Sequence, residues 1–139
     1  MKRIHISLNV TDLNASVAYY SNLLASEPTL RKDDYAQWLL DDPHVNFVLE
    51  AGSEAAGLGH LGLQMGDLET LEATRSSLDA TGTNHLLEGE TTCCYHRSEK
   101  SWSTDPDGIA WEAFVTHEET EERGNAMPAL VGSATGGCC

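Results

Sequence analysis

The chain has 139 residues, of which 40% are hydrophobic, and it carries a formal net charge of −14. That length suffices for one domain with a core, while the acidity and the lack of a basic cluster argue against nucleic acid or acidic membranes as partners. No apolar run approaches the roughly 20 residues of a membrane span, and Met1-Lys2-Arg3-Ile4-His5 lacks the pattern of a signal peptide. The expected location is therefore the cytoplasm, where four cysteines are expected as reduced thiols rather than a disulfide framework.

Read in chain order, the sequence repeats itself once. His5-Ile6-Ser7-Leu8-Asn9-Val10-Thr11-Asp12-Leu13 and His60-Leu61-Gly62-Leu63-Gln64-Met65-Gly66-Asp67-Leu68 share the pattern His-x-x-Leu-amide-apolar-x-Asp-Leu. Each copy predicts an alternating strand that ends at an Asp able to cap a helix. Leu13, Val17, Tyr20 and Leu24 then form one helical stripe, and Leu68, Leu71 and Leu78 a weaker one. Strand-like pieces follow near 29–31, 35–40 and 45–50 in the first half and near 84–87, 92–96 and 109–116 in the second. The predicted class is α+β: two βαβββ modules, about 1–52 and 57–116, that close around a shared cleft as one domain over 1–116. Residues 117–139 are acidic at first, then rich in Gly and Ala, and are expected to form a mobile tail.

The repeat puts His5 and His60 in equivalent positions, so a pseudo-twofold axis would face their imidazoles across the cleft. Glu112 is a lone acid among Trp111, Ala113 and Phe114 on the last predicted strand. A carboxylate buried there must pair with a cation or bind a metal. An ion pair with a Lys or Arg is one reading of Glu112. Coordination is the other, since two His and one carboxylate leave open positions on a divalent metal and are typical of non-haem Fe(II) oxygenases. His44, His85, His96 and His117 do not follow the repeat and are read as surface or supporting residues.

Cys93 and Cys94 are adjacent. On a regular strand, neighbours point to opposite faces, so a joint grip on one atom needs a bend or a loop. Thiolates prefer soft, thiophilic centres such as trivalent arsenic or cadmium, and His96, Arg97 and Lys100 could favour the thiolate form. The polar stretch 97–101 lacks strand alternation and reads as a loop that covers the site or as an ordinary solvated hairpin. Cys138 and Cys139 end the tail.

With both halves read, the chain resembles the glyoxalase, bleomycin-resistance and extradiol-dioxygenase superfamily, also called vicinal oxygen chelate. Within it, the chain resembles the carbon–arsenic lyases related to cadmium-induced proteins. The residues that carry the likeness are Thr91-Thr92-Cys93-Cys94-Tyr95, Trp102, Asp105-Pro106-Asp107-Gly108, Trp111-Glu112, His5 and Gly59-His60-Leu61-Gly62. The resemblance implies Fe(II) ligands at His5, His60 and Glu112, with other divalent metals able to occupy the site. It implies organoarsenical-binding thiolates at Cys93 and Cys94. The implied reaction is O2-dependent cleavage of the carbon–arsenic bond of methylarsenite or trivalent aromatic arsenicals, releasing arsenite, by a monomer or homodimer. The alternative is a non-enzymatic protein that sequesters cadmium or arsenic.

Overall fold

The computed structural model of the chain describes residues 1–53 and 55–124. In β1 (Arg3–Val10) alternation sorts the side chains: His5, Ser7 and Asn9 are buried on one face, while Ile6, Leu8 and Val10 turn to an apolar cluster on the other. Asp12 then takes an extended conformation and accepts the Ala15 N–H at 3.0 Å. This satisfies one of the donors left open at a helix start. Helix α1 (Leu13–Leu24) buries Leu13 and Val17. After the short β2 (Leu30–Arg31), strands β3 (Tyr35–Asp41) and β4 (His44–Ala51) supply Trp38, Phe47 and Leu49 to the same cluster.

The second half repeats this order. β5 (Gly57–Gln64) leads to Asp67, which accepts the Thr70 N–H at 2.7 Å and starts α2 (Leu68–Ala80). β6 (His85–Cys93), β7 (His96–Thr104) and β8 (Ala110–Glu119) complete the module. Leu71 of α2 packs with Met65, Ala113 and Val115. The helix also buries Arg75, whose guanidinium pairs with Glu72, reaches Glu99 at 3.0 Å and donates to the Lys100 carbonyl at 3.0 Å.

The eight strands form one sheet in the order β2-β3-β4-β1-β5-β8-β7-β6. β1 and β5 run antiparallel at its centre, β4 lies parallel to β1, and β8 lies parallel to β5. Outward from that seam the two halves have the same strand order, so the modules of one chain pair with each other. Both helices cover one face of the sheet; the opposite face carries the buried polar residues. Among the described residues no helix is long and apolar enough to cross a membrane.

Two expectations change. The stretch 97–101 lies within β7, one arm of the β6–β7 hairpin, so it is not a covering loop, and the hairpin is buried rather than solvated here. Its inward residues Ser98 and Lys100 are themselves polar and buried, and outward Glu99 pairs with Arg75, so the usual apolar alternation is missing. The last strand also runs past residue 116 to Glu119. Beyond it, the Thr120 N–H donates to the Tyr95 carbonyl and the Gly124 N–H to that of Cys94, each at 2.7 Å. The rest of the expected tail, with Cys138 and Cys139, lies outside the described residues.

Candidate metal centre and cysteine turn

His5 and His60 meet across the β1–β5 seam, as the repeat predicts. Their Nε2 atoms are 3.1 Å apart. His5 Nδ1 lies 3.1 Å from the Asn46 carbonyl. A carbonyl only accepts, so Nδ1 carries the proton and Nε2 presents its lone pair to the cup. Asn46 is itself held in a chain of amides: Gln37 donates to its side-chain oxygen at 2.9 Å, and its own amide donates to Gln64 at 3.2 Å. The His60 ring meets the Trp102 ring edge-on, with centroids 5.0 Å apart. Its Nδ1 is buried with no hydrogen-bond partner among the described residues.

Glu112 completes the cluster from β8. Its Oε2 lies 3.6 Å from His5 Nε2 and 3.4 Å from His60 Nε2. Its Oε1 lies 2.5 Å from Lys100 Nζ. The two readings of this residue are thus met by different oxygens: one faces a cation on the neighbouring strand, the other faces the imidazoles. All three side chains are almost fully buried, with exposures of 2% for His5, 0% for His60 and 2% for Glu112. Burial by itself would raise the Glu112 pKa. The Lys100 charge, the hydrogen bond to His60 and the nearby imidazoles outweigh it and bring the value down to about 2. The group is therefore ionised at neutral pH.

Close approach of the strands depends on Gly62. A Cβ at that position would meet the Glu112 carbonyl oxygen at 2.6 Å and His5 Cδ2 at 3.2 Å. Strand register also identifies what module one puts in place of Glu112. Gly62 pairs with Glu112, and its counterpart Ser7 pairs with Val48. The fourth potential ligand position is thus apolar.

The donor set fits a divalent metal. Ligand atoms bound to one ion at about 2.0–2.2 Å stand about 3–3.5 Å from one another, close to the 3.1, 3.4 and 3.6 Å found here. These are also the residues whose ligand atoms gather within 4.8 Å in the described chain. Two imidazoles and a carboxylate accept Fe, Mn, Zn and related ions without choosing among them.

Cys93 ends β6, where it pairs with His96, and Cys94 and Tyr95 form the connection to β7. Cys94 has φ 51°, a left-handed conformation that costs a non-glycine residue roughly 1 kcal/mol or more. The turn thereby ends the strand alternation that would set the two side chains on opposite faces. Cys93 lines the same cavity as His5, Glu112, Lys100, His96 and Tyr35. Cys94 is buried beside Val48 and Trp102, and its Sγ lies 3.7 Å from Glu50 Oε2. The expected reduced thiols are not what the structure holds: Cys93 and Cys94 are both disulfide-bonded.

The remaining histidines divide. His44 lies near Asp41 at the surface, and His85 pairs with Asp79 at 2.7 Å. His96 instead lines the cavity, where burial pushes its pKa down. Burial first, and then Glu50 and Glu112, push the Tyr35 phenol up. Sequence reasoning does not identify Lys100 as the partner of Glu112, and it considers Glu50 only as a ligand position lying too late in its strand, not as a neighbour of Cys94. The polar stretch around Lys100 lacks strand alternation, and no motif ties either residue to the cup.

Residues 2–113 match the Glyoxalase/Bleomycin resistance protein/Dioxygenase superfamily model. The chain is 40% identical over 131 residues to a protein of Bacillus sp. (strain MD1) named trivalent organoarsenical cleaving enzyme, covering 92% of this chain and 81% of that one. It is 36% identical over 126 residues to the cadmium-induced protein CadI of Mycobacterium bovis, covering 90% and 83%. Among solved structures, the Mn(II)-bound glyoxalase of Novosphingobium aromaticivorans superposes with TM-score 0.63 at 19% identity, over 88% of this chain and 42% of that one. A variant of homoprotocatechuate 2,3-dioxygenase from Brevibacterium fuscum gives 0.65 at 19%, over 87% and 34%. These two share the fold. With its paired modules, the match to the family model and relatives of this similarity, the chain belongs to the glyoxalase/bleomycin resistance protein/dioxygenase superfamily.

Proposed function

We propose that the protein is an enzyme that cleaves the carbon–arsenic bond of trivalent organoarsenicals, methylarsenite or trivalent aromatic arsenicals, in an Fe(II)- and O2-dependent reaction that releases arsenite. The observation that carries the reading is one cavity lined by His5, Glu112 and Cys93, which sets two members of the His5, His60 and Glu112 cluster beside the cysteine turn. The relatives named as organoarsenical cleaving enzymes support the same substrate class.

His5, His60 and Glu112 would hold the metal. A bound Fe(II) would supply the activation of O2, chemistry that no side chain can provide alone. The chain's own residues do the rest. The Asn46 carbonyl fixes the tautomer and aim of His5. Lys100 keeps Glu112 ionised and ready to ligate at neutral pH. Val48, in the place that Glu112 takes in the other module, offers no donor atom, so a metal held here would have three protein ligands. In their reduced form Cys93 and Cys94 capture the arsenic atom and restrict its organic group to the cup. Fixing reactants in one geometry removes much of the entropic barrier. Burial of the cluster keeps bulk water from the reacting bond.

The test is arsenite release from methylarsenite by reduced, Fe(II)-loaded protein, with and without O2. Release in air and none under anaerobic conditions is expected. Release at equal rates in both, or none in air, would overturn the reading.

A further inference from the structure

The geometry points to Glu50 as the proton acceptor for the Cys94 thiol when a trivalent arsenical is captured, with Arg123 as the residue that holds Glu50 in place. The inference rests on the function proposed above and assigns a residue which that function does not use.

Glu50 is a buried carboxylate near the end of β4, with only 3% exposure. It lies outside the metal cluster. One of its oxygens lies 3.7 Å from Cys94 Sγ, and the other pairs with Arg123. Arg123 also reaches Asp34 at 2.8 Å, and Asp34 accepts the Tyr95 hydroxyl at 2.6 Å. The segment carrying Arg123 is tied to the turn by the backbone bonds from Thr120 to Tyr95 and from Gly124 to Cys94. The arginine thus spans from the last strand across the cysteine turn to β4. A carboxylate is costly to bury without a partner, and Arg123 offsets that cost while leaving Oε2 turned to the sulfur.

Arsenical capture requires such a group. In the reduced protein the step is an exchange at arsenic without oxidation or reduction. The Cys94 sulfur forms a bond to arsenic, one arsenic–hydroxide bond breaks, and the hydroxide leaves as water. The thiol proton must therefore travel from sulfur to the departing oxygen, and Glu50 Oε2 stands where it can take that proton and return it. The neighbouring groups compete poorly for this task. The Tyr35 phenol is held neutral by burial and by Glu50 and Glu112. The Tyr95 hydroxyl donates to Asp34, and the Arg123 guanidinium, already protonated, cannot accept a proton. His96 lines the cavity on the Cys93 side, facing Glu119 and Lys100.

The experiment uses the full chain, reduced with a phosphine, and follows capture of phenylarsine oxide by stopped-flow tryptophan fluorescence between pH 6 and 10. Trp102 reports because it is buried in the same cluster as Cys94. Glu50→Gln keeps the shape and the ability to hydrogen-bond. It is expected to slow capture about tenfold or more at pH 7, the scale of a positioned base. It is expected to converge on the wild-type rate well above the ordinary thiol pKa of about 8.5, where the thiol ionises unaided. Glu50→Asp is expected to retain most of the neutral-pH rate. Equal rates for wild type and Glu50→Gln at pH 7 would overturn the assignment. So would a slow rate that persists at pH 10, since that marks a distorted turn rather than a missing base. A wild type that captures no arsenical at any pH overturns this inference and the function beneath it together. Normal wild-type capture with an indifferent Glu50→Gln overturns the inference alone.

Discussion

The two modules share a frame and differ in what they place on it. Each supplies a strand, an Asp-capped helix and three further strands, and each contributes one imidazole at the seam. Module one then offers Val48 where module two offers Glu112. The helices differ in the same way. Tyr20 of α1 packs on Phe47 with ring centroids 4.8 Å apart, whereas Arg75, at the corresponding place in α2, reaches Glu99 and the Lys100 backbone. Module one is thus the apolar anchor. Module two carries the charge of the metal-competent cluster, with Lys100 and Glu112 on adjacent strands and Arg75 behind them. The scaffold repeats, and differences at single positions give the candidate site a carboxylate from one module and an apolar side chain from the other.

The strongest way to break that comparison is to remove the asymmetric acid. Glu112→Ala deletes one of the three proposed ligands and removes the carboxylate that faces the buried Lys100 ammonium. It is expected to abolish metal binding in a calorimetric titration and to lower stability by about 3–5 kcal/mol in urea. Undiminished metal uptake would show that module two's acid is dispensable.

Lys100→Met sharpens the same point through pH. The Lys100 ammonium holds the folded-state Glu112 carboxyl down to about 2, against an ordinary value of about 4.5. A depressed carboxylate stabilises the fold above its unfolded pKa, and that contribution is lost as pH falls from about 4.5 toward 2. Without Lys100, burial raises the Glu112 pKa. Metal-free protein at pH 7 is then expected to lose about 3 kcal/mol, and the acid transition is expected to move upward. Urea midpoints between pH 3 and 7 measure both, and a variant as stable as wild type across that range contradicts the account.

The smallest effect is expected from Gly62→Ala. The new methyl group has no room beside the Glu112 carbonyl and the His5 ring. The ligands would be displaced rather than deleted, and metal affinity should fall about 10–100-fold, as it does when ligand-supporting residues are changed. Ser7→Ala, at the matching place in module one, is expected to leave affinity nearly unchanged because it adds no bulk. Equal losses in the two variants would remove the distinction between the modules.

Much of this was legible in the sequence because it was local or repeated. Asp12 and Asp67 announce their helices through the residues that follow, and the offset from His5 to His60 holds the duplication in view. Lys100 was not legible. Its contact with Glu112 arises because β7 and β8 pair with Trp102 opposite Glu112, and a strand that buries Ser98 and Lys100 shows none of the apolar alternation by which strands are recognised. Glu50 and Arg123 stand 73 positions apart and meet only because the chain folds back over the cysteine turn. The oxidation state of Cys93 and Cys94 depends on surroundings that residue order does not encode.

The seam between β1 and β5 has a mechanical consequence. Its imidazoles belong to segments 55 positions apart, so an ion gripped there would act as a rivet between the halves and close a long loop in the unfolded chain. Loading the ion would then stiffen the whole sheet rather than one pocket, and hydrogen exchange at the two central strands would register it first.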